Sequence, residues 1–161
     1  MIKAALLDLD GTLVRADMSV IIAEIIGKQD EVHQNNLNFH KGVTKGLSGL
    51  VASINLFKGI TLNQIDEKLS QQDYLALGAR ELLKFFRDNG VILYETKKIL
   101  EALGIDPSET IAVGDSPSDK SRFAFAATSI AVNPKGGIEE FADHVVTDDL
   151  RKVIPIVERL L

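Results

Sequence analysis

The sequence predicts an α/β protein: a three-layer, Rossmann-like core around a parallel sheet, with a small helical insert after the first strand. Three observations carry this. IKAALLDLD (2–10) and TIAVGD (110–115) are continuous apolar runs ending in aspartate, the composition of strands buried on both faces. Beyond Gly78, strand-like and amphipathic helix-like segments alternate, the order that builds a parallel sheet covered by helices. Between the first strand and that alternation the apolar residues follow a helical period.

The first core segment spans residues 1–14. The insert spans 15–73. In it MSVIIAEIIG clusters its apolar residues at helical spacing and stops at Gly27, GLSGLVASINLF repeats the pattern, and TLNQIDEKL starts from Thr61 as a helix N-cap. KQDEVHQNNLNFHK, between them, is too polar to supply core. The core resumes over 74–161. ARELLKFFRDNG is an amphipathic helix closed at Asn89-Gly90, VILY a short strand, and KKILEALG a helix stopped by Gly104. Asp106-Pro107 turns the chain into TIAVGD. SRFAFAA then reads as helix, SIAV as strand, GGIEEFA as short helix, HVV as strand, and DLRKVIPIVERLL as a closing helix that Pro155 bends or restarts.

Composition narrows the function. Among 161 residues, 18 are basic and 23 acidic, a formal net charge of -5 without a lysine or arginine block, so the electrostatic footprint of a nucleic-acid binder is missing. The absence of cysteine removes disulfides, thiol nucleophiles and thiolate metal sites, and fits a reducing cytoplasm. No run of about 18 apolar residues suggests a membrane span, and Met1 leads directly into a strand. The expectation is a cytoplasmic protein without membrane or nucleic-acid partners. His33, His40 and His144 are scattered and read as surface or packing residues.

Ligands of open parallel sheets bind beyond the carboxyl ends of the strands. Asp8, Asp10, Asp115 and Asp119 fall at such ends. Carboxylates that close repel one another unless a hard divalent cation joins them, and an all-oxygen ligand set points to Mg²⁺, which shares its remaining positions with phosphate. Beside such an ion an aspartate serves as nucleophile toward phosphorus. A second aspartate two residues on would face the same side of an extended strand, where it could protonate the leaving oxygen. Asp8 and Asp10 have that spacing. Gly11 permits a close backbone approach and lends its amide to phosphate oxygens, while the Thr12 hydroxyl holds a carboxylate in place. Asp119 also suits a plain helix cap. Lys135-Gly136-Gly137 reads as a turn.

DLDGTLV (8–14) together with VGDSPSD (113–119) resembles the first and last motifs of the haloacid dehalogenase-like phosphohydrolases. The resemblance implies a Mg²⁺-dependent enzyme working through an aspartyl-phosphate, with Asp8 as nucleophile, Asp10 as general acid and base, Asp115 as a metal ligand, and Asp119 supporting the metal or orienting a lysine. GTLVRADMSVIIAEIIG, LFKGITLNQIDEKL, LGARELLKFFRDNGV and IAVNPKGGIEEFADHVV are similar, in order, to segments of the phosphoserine phosphatase-like branch. That implies that 15–73 form a cap closing over a small phosphorylated metabolite. A phosphotransferase or mutase of the same fold, or a catalytically impaired phosphate-binding protein, are the alternatives.

Two departures accompany the resemblance. The family places a hydroxyl residue after the second core strand and a lysine one further βα unit later. Here VIL is followed at once by YETKKILEALGI, with no room for that unit, which takes roughly 30 residues. Either a segment belongs between Leu93 and Tyr94, the alternative favoured by the family-like flanks, or the unit is lost. Within the sequence as it stands, Thr96 is the candidate hydroxyl, and Lys97 and Lys98 are the candidate lysines. Asp17 matches the acidic position with which phosphoserine enzymes hold the substrate ammonium. The cap arginine that would clamp the carboxylate is absent near Val51 to Ser53, and Lys45 or Lys58 would replace it poorly.

Overall fold

A computed structural model describes residues 1–40, 43–44, 48–94 and 97–161, with the side chains of His40, Leu50, Lys97 and Glu101 outside the description. The chain divides into two compact units, 1–15 with 75–161, and 16–74.

The first unit is built on five parallel strands: β1 (Ala4–Leu7), β2 (Ile92–Tyr94), β3 (Thr110–Gly114), β4 (Thr128–Val132) and β5 (His144–Val146). They lie in the order β2-β1-β3-β4-β5, so the two aspartate-tipped strands are neighbours at the centre. β2 runs unbroken across Leu93 and Tyr94 and pairs with β1 through both residues. All four residues of β1 and all five of β3 are buried, as continuous apolar runs require of a sheet covered on both faces.

Alternation along the strands sorts the core into two layers. Ala5, Leu7, Ile111, Val113, Ile130 and Val132 face one side. There they pack on Ala79, Leu82 and Phe86 and on Leu150, Val153 and Val157. Ala4, Leu6, Ala112 and Ala131 face the other side, against Leu100, Phe123 and Ile138.

Among its described residues the insert unit carries, in sequence, the helices α1 (Met18–Glu24), α2 (Gln29–His40), α3 (Ser48–Leu56) and α4 (Leu62–Leu69). The polar stretch is thus itself a helix, α2, and it contributes Val32, which is fully buried. Val32, Leu37 and Phe39 are its apolar residues and only Val32 is buried, which leaves little periodicity to read. Thr61 caps α4 as the sequence implies: its hydroxyl accepts from the Gln64 amide, and the Gln64 side chain returns to the Thr61 N–H at 2.9 Å.

The core's helices are α5 (Ala79–Asp88), α6 (Lys97–Ala102), α7 (Lys120–Phe123) and α8 (Ile154–Glu158), with 3₁₀ turns at 107–109, 117–119, 138–141 and 150–153. Pro155 sits in the first turn of α8, so the closing segment restarts there rather than running as one helix.

Candidate active site

The register of the central strands builds the site. Leu7 of β1 lies opposite Val113 of β3, and the Asp8 amide donates to the Val113 carbonyl at 3.0 Å. Asp8 thus comes level with Gly114, and Asp115 follows one residue further along the neighbouring strand end. Oxygens of Asp8, Asp115 and Asp119 all lie within 4.8 Å of one another.

Asp119 is fully buried and is brought back to the cluster by the 3₁₀ turn at 117–119. Its Oδ2 accepts from the amides of Asp115 at 3.1 Å and Ser116 at 3.2 Å. The carboxylate therefore holds the loop that precedes it and does not cap α7. Gly114 makes this possible, because a Cβ there would overlap the Asp119 carboxylate. Gly11 serves Asp115 in the same way. At φ +87° it adopts a conformation suited to glycine, and a Cβ would sit 2.8 Å from Asp115 Cγ.

Among the described residues, Arg122 and Lys135 offset part of the cluster's charge. Arg122, one helical turn after Asp119, donates through one NH1 to Asp8 Oδ1 at 2.7 Å and to Asp119 Oδ1. Lys135 donates from Nζ to Asp115 Oδ2 at 2.8 Å, and its amide bonds the Asp115 carbonyl at 2.7 Å. Burial raises the Asp115 pKa above the ordinary carboxylate value; Lys135 opposes the shift and Asp8 adds to it. Asp119 is raised by burial and then by the neighbouring Asp8, with its main-chain hydrogen bonds and Arg122 opposing. Two carboxylates held above their ordinary pKa by lost solvation are favourable ligands for a cation, and three oxygen donors suit a hard divalent ion such as Mg²⁺.

The structure treats the other sequence candidates differently. Asp10 is exposed and lies outside the three-residue cluster. The expectation of a shared strand face fails because β1 ends at Leu7. The chain then turns, with the Thr12 and Val14 amides both bonding the Leu9 carbonyl. Thr12 is fully buried, but its hydroxyl bonds no group among the described residues, so the expected tie to a carboxylate is not made. Lys98 is exposed on α6 and makes none of the cluster's ion pairs. Thr96 and Lys45 lie outside the described residues, as does the side chain of Lys97.

In the insert unit Asp17 is the N-cap of α1. It accepts from the Ser19 amide at 3.0 Å and the Ser19 hydroxyl at 2.6 Å, and from Asn36 Nδ2 at 2.6 Å. Both its oxygens are engaged locally, which supports a capping role over a grip on an ammonium group.

No motif in the sequence marks Arg122 or Lys135 as a partner of these aspartates. Asp119 and Arg122 stand at (i, i+3), the spacing of a helical ion pair, and that signal was available. Lys135 was not accessible in the same way, since its meeting with Asp115 depends on the β3 to β4 pairing and a turn through Gly136 and Gly137, both at positive φ.

The parallel sheet in this order matches the Rossmann-like α/β fold of the haloacid dehalogenase-like structures compared below. No family model matches the chain. Its sequence is 49% identical over 53 residues to a phosphoglycolate phosphatase of Halorubrum lacusprofundi, covering 32% of this chain and 23% of that protein. It is 39% identical over 56 residues to a phosphoserine phosphatase of Halobacterium salinarum, covering 34% and 26%. The matched stretches thus span about a quarter of each relative's length.

Among solved structures, a phospho-aspartyl intermediate analogue of phosphoserine phosphatase superposes with a TM-score of 0.79 at 21% identity, covering 96% of this chain and 98% of that one. A haloacid dehalogenase-family hydrolase from Salmonella enterica serovar Typhi gives 0.84 at 15% identity, covering 99% and 74%. The resemblance read from the two motifs is borne out. No helix among the described residues is long and apolar enough to cross a membrane.

Proposed function

We propose that the chain is a Mg²⁺-dependent phosphomonoester hydrolase acting on a small phosphorylated metabolite through an aspartyl-phosphate. The observation that carries this reading is the meeting of Asp8, Asp115 and Asp119 at the ends of adjoining parallel strands. Asp8, Asp115 and Asp119 would hold the ion, which offsets the carboxylate charge and polarises the phosphoryl group. The names of the sequence relatives, phosphoglycolate and phosphoserine phosphatase, support the reaction class.

In the first step an Asp8 oxygen attacks phosphorus, the P–O bond to the alcohol breaks, and Asp10 gives its proton to the departing oxygen. In the second, water attacks the phosphorus of the acyl phosphate while Asp10 takes a proton from it, releasing inorganic phosphate and restoring the Asp8 carboxylate. Asp10 lies outside the metal cluster and is exposed, positions compatible with carrying a proton rather than a metal. Asp119 and Lys135 hold the Asp115 loop in register with Asp8 through the contacts already described.

Phosphate release from an aryl phosphate, with and without Mg²⁺, tests the proposal. Turnover should require Mg²⁺ and should fall at least about a hundredfold in Asp8→Asn. A wild-type chain that binds Mg²⁺ yet releases no phosphate would instead be a phosphate-binding relative without turnover, the reading favoured by the exclusion of Lys98 from the cluster.

A further inference from the structure

We propose that Arg122 is the residue that holds the phosphoryl group against Asp8, an assignment that rests on the phosphatase reading above. Charge alone demands such a group. Three carboxylates meet at the cluster, and a phosphate monoester brings roughly two more negative charges. One divalent cation leaves that assembly strongly negative, so further positive charge must lie at the nucleophile itself.

Arg122 meets the requirement by position. Its guanidinium sits on Asp8 Oδ1 at 2.7 Å and on Asp119 Oδ1. Any group fixed on the attacking carboxylate is next to the phosphorus that carboxylate attacks. It is also held firmly: the arginine side chain is 19% exposed, and its α7 backbone follows directly from the turn that Asp119 braces. A planar guanidinium matches the oxygens of carboxylate and phosphate, and it stays charged throughout the working pH range.

Among the described residues, the other candidate cations are placed less well. Lys135 is 65% exposed and its ion pair is with Asp115, not with the nucleophile. Lys98 is exposed on α6 and takes no part in the cluster's ion pairs. Arg122 thus has two partners in sequence. Without metal it is the counter-ion of Asp8 and Asp119; with the ion bound it becomes a donor to phosphate.

Orthophosphate binding in the presence of Mg²⁺ tests this directly. It is measured by calorimetry on the wild type, Arg122→Ala, Arg122→Lys and Lys98→Ala, alongside Mg²⁺ binding and a thermal melt of each. The expected result is a loss of phosphate affinity of tenfold or more (about 1.4 kcal/mol) in Arg122→Ala, with partial recovery in Arg122→Lys. Mg²⁺ affinity should be kept or tightened and Lys98→Ala should match wild type. Phosphate affinity unchanged in Arg122→Ala overturns the assignment, as does loss in Lys98→Ala instead, or no phosphate binding by wild type. If Arg122→Ala is poorly folded by its melt, Arg122→Lys decides: phosphate affinity equal to that of wild type overturns the assignment. Should wild type bind phosphate through Arg122 yet turn over no ester, the phosphatase reading fails and the assignment of Arg122 stands.

Discussion

Replacing Gly114 by alanine tests the geometry of the cluster without touching any of its charges. Gly114 has an ordinary φ, so the substitution costs nothing through backbone strain and its effect is purely steric. The new Cβ would lie 2.6 Å from Asp119 Oδ1 and closer still to its Cγ and Oδ2, so the buried carboxylate has to move. Moving it strips the amides of Asp115 and Ser116 of their acceptor. Orphaning a buried donor costs about 1–3 kcal/mol, and with some relaxation of the loop the pair should cost about 3 kcal/mol. For a chain of this size about 2–4 °C of melting temperature follows each kcal/mol, so a drop of about 6–12 °C is expected. Calorimetric or fluorescence melting reads it, and a Mg²⁺ titration should show weakened binding in the same variant. A variant that melts within about 2 °C of wild type and binds Mg²⁺ equally well would refute the placement of Asp119.

Three further expectations follow from the same contacts. In the absence of metal, Asp115 and Asp119 have folded pKa values raised above the ordinary 3.8. The folded state then binds protons more tightly, so these groups make stability fall as pH rises from 3.8 through the raised values, and saturating Mg²⁺ should remove that fall; melts across pH with and without Mg²⁺ check it. Asp143 has the opposite sign: hydrogen bonds from the Ser129 hydroxyl at 2.7 Å and amide at 2.8 Å lower its pKa, so its contribution is full above 3.8 and lost as pH drops through the folded value. Ser129→Ala should therefore cost about 1 kcal/mol more near neutrality than in strong acid, where the loss of the hydroxyl's bond from the Asp143 amide remains, by denaturant titration at two pH values. Phe86→Ala, at a fully buried position of the α5 face, should cost about 3–5 kcal/mol, and no loss would refute the packing of that layer.

How much of this could be read in the sequence follows from which contacts are local. Asp8 and Asp115 were legible because two long apolar runs each stop at an aspartate, and parallel strands buried on both faces have few other readings. For Asp10 the expected strand face is not kept. Its spacing from Asp8 carries meaning only while the strand continues, and nothing in DLDGT announces that pairing ends at Leu7. Asp119 was recognised as acidic support, but its grip on the loop behind it depends on a close approach that only Gly114 permits. Helix α2 was hidden by composition, since a single buried valine leaves almost no apolar stripe. The insert's Asp17 shows the reverse: its sequence context, an acid directly before a helical run, is as good a cap signal as a substrate signal, and the structure uses it as a cap.

The account rests on Asp8, Asp115 and Asp119 sharing one hard cation, and isothermal calorimetry of Mg²⁺ into metal-stripped protein measures this most directly. One ion per chain is predicted for wild type, with binding weakened at least about tenfold in Asp115→Asn and in Asp119→Asn, while Asp17→Asn binds as wild type does. Mg²⁺ binding that is absent from wild type, or that survives both substitutions undiminished, would contradict it.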